Sequence, residues 1–136
     1  MGKILGLLMA LLGSATVAGA QTAIDNVGAG AFEALAATDS VRVVDVRTAG
    51  EYAEGHIPGA CNINVLDSSF VGIALGVLDP SFRIAVYCRS GRRSMIAARL
   101  LSSEGYRVTN LEGGYLAWVA EGKKVEKTQV LNSSNR

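Results

Sequence analysis

The chain has 136 residues, 13 of them basic and 12 acidic, with a formal net charge of +1 and a single histidine. That length holds one ordinary domain and not two, and so even a charge balance argues against a nucleic-acid partner held by bulk electrostatics. Two cysteines are too few for a disulfide scaffold.

The first twenty residues read as a secretory signal peptide: Lys3, an apolar run over 4–12, then small residues ending Ala18-Gly19-Ala20. Cleavage after Ala20 leaves a chain starting at Gln21, with 12 basic against 12 acidic residues and no net charge. The expected location is the periplasm, or the outside of a cell without an outer membrane. An uncleaved anchor is the alternative, because no charge falls between Ile4 and Ala20, although the run is at the short end for a membrane span.

Beyond the signal, "AFEALAA" (31–37) is a short helix and the valine-rich "VRVVDV" (41–46) a strand. Thr48 followed by Glu51 is a capping box opening a short helix that Gly55 closes. "HIPGA" is a turn punctuated by Pro58-Gly59, and "CNINV" (61–65) a short strand. Residues 68–78 carry apolar side chains at 70, 71, 74, 75 and 78, one helical face, until Asp79-Pro80 breaks it. "RIAVYC" (83–88) is a buried strand. A helix follows from Ser94, with Met95, Ala98 and Leu101 on one side and Gly105 at its C-terminal cap. "YRVTNL" (106–111) is a strand, "GGYLAWVAEG" (113–122) a last short helix, and 123–136 a polar tail expected to be mobile. Strands alternating with helices of about ten residues mean βαβ units and a mostly parallel sheet, hence one α/β domain over 21–122.

The chemistry lies in "CRSGRRS" (88–94), where a buried strand ends and a helix begins. Ligands of open α/β sheets bind beyond the carboxyl ends of the strands. A loop curled into a helix start can aim unpaired N–H groups inward as an anion nest, with Gly91 supplying the backbone freedom. A thiol at the centre of that nest is favoured as thiolate, and its pKa can drop by ~1–5 units. Arg89, Arg92 and Arg93 add attraction and direct contacts for an incoming oxyanion.

Three blocks then resemble one family. "CRSGRRS" is similar to the active-site loop of the rhodaneses, the thiosulfate sulfurtransferases. "DVRTAGEYAEGHIPGACNI" (45–63) resembles their upstream block and "LEGGYLAWV" (111–119) their closing block, in order and across most of the domain. The resemblance implies a rhodanese-like α/β fold, a parallel sheet of about five strands with helices on both faces. It also implies that the Cys88 thiolate takes the outer sulfur of thiosulfate as a persulfide, releases sulfite, and passes the sulfur to cyanide or a thiol. The backbone from Arg89 through Ser90, Gly91, Arg92 and Arg93 to Ser94 would hold the persulfide, with one of the three arginines on the sulfonate. Asp45 and Arg47 would brace the loop through an ion pair or hydrogen bonds. No metal or organic cofactor is implied; the partners are a small anionic sulfur donor and a thiophilic acceptor, with a protein acceptor as a further possibility, and the chain is expected to be a monomer.

Two other enzyme readings are weighed against this one. Tyrosine phosphatases and arsenate reductases also hold a cysteine in an anion nest, but with an arginine after five intervening residues. Counted from Cys88 that position is Ser94. A loop one residue shorter makes a smaller pocket, suited to sulfur rather than phosphoryl. A non-enzymatic module that relays sulfur or docks on a partner is the alternative from outside catalysis. His56 invites a Cys–His hydrolase reading, but its place in a turn favours a structural role. Trp118, Tyr115 and Leu116 are read as helix residues packing on the sheet. In the family's sheet order the Cys61 strand lies two steps from the Cys88 strand, roughly 9–10 Å, beyond the ~7 Å a disulfide spans. Cys61 therefore reads as a packed free thiol.

Overall fold

The computed structural model describes residues 23–128; the expected signal peptide and residues 129–136 of the expected tail lie outside the described residues. Five strands form one sheet: β1 (Asp25–Val27), β2 (Val41–Asp45), β3 (Cys61–Asn62), β4 (Arg83–Tyr87) and β5 (Val108–Leu111). Their order is β1-β5-β4-β2-β3 and every pairing is parallel. Among the described residues four helices connect them, α1 (Ala29–Ala36), α2 (Ala49–Glu54), α3 (Phe70–Val77) and α4 (Arg92–Ser103), and α5 (Gly114–Ala120) follows β5. The expected α/β class, parallel sheet and strand count are what the chain adopts.

β4 is central and alternates cleanly. Ile84, Val86 and Cys88 enter one core with residues of α3 and α4. Ala85 and Tyr87 enter the other, with Phe32 of α1 and Trp118 of α5. A parallel strand covered on both faces needs apolar side chains at every covered position, which is why 84–88 reads as an unbroken apolar run after Arg83. Phe32 sits edge-on to both Tyr87 and Trp118, at centroid distances of 6.2 and 6.4 Å. This clamps α1 and α5 onto the same face.

The Thr48 capping box is present in full. The Thr48 side chain accepts from Glu51 N at 3.2 Å, and Glu51 Oε1 accepts from Thr48 N at 3.2 Å. α4 ends in a Schellman closure: Tyr106 N donates to Leu101 O and Gly105 N to Ser102 O, with Gly105 at φ 91°. Here Gly105 stands one residue beyond the cap.

Several boundaries differ from the sequence reading. β1 was not anticipated: Asp-Asn-Val is too short and polar to show a strand pattern, and it exists only by pairing with β5. α4 begins at Arg92, two residues before Ser94, because Gly91 turns left-handed and starts the helix there. The tail expectation is corrected over 123–128. Trp118 Nε1 donates to Lys124 O at 2.8 Å, His56 and Glu126 exchange two backbone bonds of 2.8 and 2.9 Å, and Thr128 N donates to Ala53 O at 3.2 Å. Those bonds dock the segment against α5, α2 and the turn after α2. β2 lies between β3 and β4, so Cys61 and Cys88 are not on neighbouring strands, and both thiols are free.

Truncating Phe32→Ala should remove the contact that joins α1 and α5 to β4 and cost about 3–5 kcal/mol. Urea denaturation checks this: the midpoint should fall with the slope unchanged.

Candidate active site

Cys88 follows the last residue of β4 and is fully buried at the C-terminal end of the sheet. Beyond it the chain turns at Gly91, whose φ of 103° lies in the left-handed region, and enters α4. Gly91 N donates to Cys88 Sγ at 3.1 Å. Burial pushes the thiol pKa up. Hydrogen bonds from the Ser94 hydroxyl and from the N–H groups of Ser94, Gly91 and Ser90 outweigh it, so the thiol is held below its ordinary value. The Ser94 hydroxyl also lies 3.1 Å from Gly91 O, and it has one proton for two acceptors. A thiolate is the stronger acceptor because the bond is charge-assisted, so the proton turns to sulfur when Cys88 is ionised.

The nest depends on where the loop carbonyls point. Tyr115 N donates to Cys88 O at 2.8 Å and Leu116 N to Arg89 O at 3.1 Å. Both donors belong to the first turn of α5, whose own N–H groups would otherwise lack partners. In a trans peptide the N–H opposes the C=O. Drawing the Arg89 carbonyl towards α5 therefore turns Ser90 N–H towards the sulfur. Such closeness demands Gly113-Gly114, at φ 79° and 61°. A Cβ at Gly114 would lie 2.5–2.6 Å from the Arg89 and Cys88 carbonyls.

Asp45 and Arg47 form a buried ion pair beside the strand end that leads into the loop. Arg47 Nη2 lies 2.7 Å from Asp45 Oδ2 and Nε 3.0 Å from Oδ1, while Nη2 also donates to Gly55 O at 2.6 Å. Tyr87 OH donates to Asp45 Oδ2 at 2.6 Å and accepts from Ile57 N at 3.0 Å. The Arg47 guanidinium lies 4.2 Å from the centroid of the Tyr115 ring. Burial alone disfavours the Arg47 charge, but bonding to Asp45 outweighs it and the pKa is raised. Burial, then the Asp45 charge, pushes the Tyr87 phenol up, so it stays a donor. A side chain at Gly55 would collide with the Tyr115 hydroxyl.

The three arginines divide. Arg93 makes a two-bond pair with Glu51, 2.7 and 2.9 Å, tying the first turn of α4 to the capping box of α2. Its guanidinium is thereby engaged by Glu51, where the sequence left open which of the three arginines meets the sulfonate. Arg89 and Arg92 are exposed and hold no side-chain partner among the described residues. A cleft of about 310 Å³ opens beside the loop, lined by Arg47, Glu54, Arg89, Tyr115 and Leu116 among others. Cys88 does not line that cleft, whereas Arg89 of the same loop does. Ser90 and Gly91 shape the loop, and Ser94 faces the sulfur.

His56 stays structural. Its Nδ1 lies 2.8 Å from Tyr52 O and so carries the proton, its ring stacks on Tyr52 at 3.8 Å, and Nε2 is 3.7 Å from Glu126 Oε2. Among the described residues no three of His, Cys, Asp and Glu gather as a metal site. Sequence reasoning did not find Tyr87 as the brace for Asp45, or Glu51 as the partner of Arg93. Each partner lies 42 residues away, and no local pattern signals it. Tyr115 read as packing, yet its N–H holds the Cys88 carbonyl.

A buried thiol whose pKa is lowered by backbone donors sits at the end of a central parallel strand. A rhodanese-like domain model matches residues 29–121, and the chain belongs to that family. A sulfurtransferase of Allochromatium vinosum is 40% identical over 89 residues, 65% of this chain and 80% of that protein. Thiosulfate sulfurtransferase GlpE of Shewanella oneidensis is 35% identical over 80 residues, 58% of this chain and 76% of that protein. The solution structure of a rhodanese-like domain from Anabaena sp. superposes with a TM-score of 0.68 at 29% identity, covering 76% of this chain and 79% of that one.

Two outcomes follow from the site. Bonding to Arg93 and to Thr48 holds the Glu51 carboxyl at about 2, below the ordinary ~4.3. A depressed carboxylate contributes stability that is complete above the unfolded value and lost as pH falls towards the folded one. Glu51→Gln should therefore be less stable at neutral pH, with a flatter stability curve below pH ~4.3, as thermal unfolding against pH will show. Ser94→Ala removes one donor to sulfur, so the pH midpoint of Cys88 alkylation by iodoacetamide should move upward.

Proposed function

We propose that this protein is a thiosulfate sulfurtransferase working through a Cys88 persulfide. The thiolate attacks the sulfane sulfur of thiosulfate, the sulfur–sulfur bond breaks, and sulfite leaves with the bonding pair. Cyanide then attacks the terminal persulfide sulfur, forming thiocyanate and returning Cys88 as thiolate. The observation that carries this reading is the convergence of Ser90, Gly91 and Ser94 donors on the Cys88 sulfur. These donors favour the attacking thiolate and would favour a terminal persulfide charge in the same place. The same donors lower the thiol pKa, so the thiolate is reached more readily without a dedicated general base.

Arg89 is the arginine assigned to the sulfonate, because it lines the cleft, is exposed and lacks a side-chain partner among the described residues. A phosphoryl substrate is disfavoured because the expected phosphate arginine position is Ser94, whose hydroxyl is turned to the sulfur.

The test is thiosulfate:cyanide transfer, followed as thiocyanate. Cys88→Ala should abolish it, and Arg89→Ala should raise KM for thiosulfate about tenfold, as expected for one charge-assisted contact. A wild-type protein with reduced Cys88 and no turnover would rule out free thiosulfate as the donor.

A further inference from the structure

The outer face of α4 continues the active-site loop as a basic and apolar stripe. At 100° per residue, Arg92, Ile96 and Arg99 fall within about 60° of one another, and Leu100 lies beside them. Ser94, Ala97, Ala98 and Leu101 face inward and are buried. Ile96 is 49% exposed and Leu100 38%. Arg89, Arg92 and Arg99 are exposed with no side-chain partner among the described residues, and residues 88–103 contain no acid. Arg93 is the arginine of this stretch that is neutralised, by Glu51.

We propose that this stripe docks an acidic protein that presents a cysteine thiol to Cys88. A small anion does not account for it. Arg99 is seven residues past Arg92, roughly 10 Å further along the helix axis, about one Debye length at 0.1 M salt. Its charge is therefore largely screened from an ion seated at the nest. An acidic surface laid along the helix would meet all three free guanidiniums at once and cover Ile96 and Leu100. Electrostatic complementarity of this kind selects partners and speeds encounter. The sulfur step rests on the persulfide reading above. The partner's thiolate attacks the terminal sulfur, the bond from that sulfur to Cys88 breaks, and Cys88 leaves as thiolate. The sulfur keeps its oxidation state and no outside oxidant is needed.

The test is the anisotropy of two labelled peptides with the full chain, one of Asp and Glu around a single Leu and Ser, the other with Lys in place of every acid. The acidic peptide should bind at least about tenfold more tightly at 50 mM salt and lose that advantage at 500 mM. Arg99→Glu should weaken it about fivefold or more and Ile96→Ser should also weaken it, while both variants keep wild-type melting temperature and thiocyanate turnover. Equal binding of the two peptides, or no loss in folded Arg99→Glu, would overturn the proposal. Thiocyanate formation is read separately. Acidic-peptide binding without turnover overturns the persulfide reading and leaves the docking surface standing, and turnover without charge preference does the reverse.

Discussion

One electrostatic constraint governs the site: a thiol buried from water is nonetheless made easier to ionise. Burial by itself returns the proton to a thiol. The opposing donors are backbone N–H groups, and a backbone loop carries as many carbonyls as N–H groups. Donors can converge on the sulfur only if carbonyls are taken elsewhere. The first turn of α5 takes two of them, at Cys88 and Arg89. Its own unpaired donors and the loop's surplus acceptors satisfy each other. That exchange requires backbone-to-backbone approach, and Gly113-Gly114 is the local consequence.

The second layer holds that loop still. Asp45 at the end of β2 gathers Arg47 and Tyr87, and through them Gly55 and Ile57, into one buried hydrogen-bonded set. A buried ion pair is weak evidence for stability, since desolvation offsets much of the attraction. Its value here is geometric: it joins the ends of β2 and β4 to the turn that follows α2. The Arg93–Glu51 pair adds a tie from the other side, between α4 and the capping box. The loop is therefore held from α5, from α2 and from its own helix, while Arg89 and Arg92 hold no side-chain partner among the described residues.

Much of the fold was legible in the chain because its signals are local. β2 announces itself as a valine-rich run and β4 as the apolar run that follows Arg83, the Thr48–Glu51 box as a helix start, and Gly105 as a helix end. β1 was not legible, because three polar-leaning residues become a strand only against β5. The docked segment 123–128 was missed for the same reason. Its composition is that of a tail, and its order comes from carbonyl and amide partners on α5, α2 and the turn at His56.

By itself the sequence singled out Cys88, the glycine that curls its loop, and the alternation of strands and helices that puts them at a sheet end. These are properties of spacing and residue type within a few positions. The tertiary structure decided which arginine is engaged and which are free, because Glu51 and Arg93 meet only after two helices pack. It also decided what Tyr87 and Gly114 are for. A hydrogen bond across 42 residues leaves no trace in either local segment, and a glycine's need for space is set by the backbone it must touch.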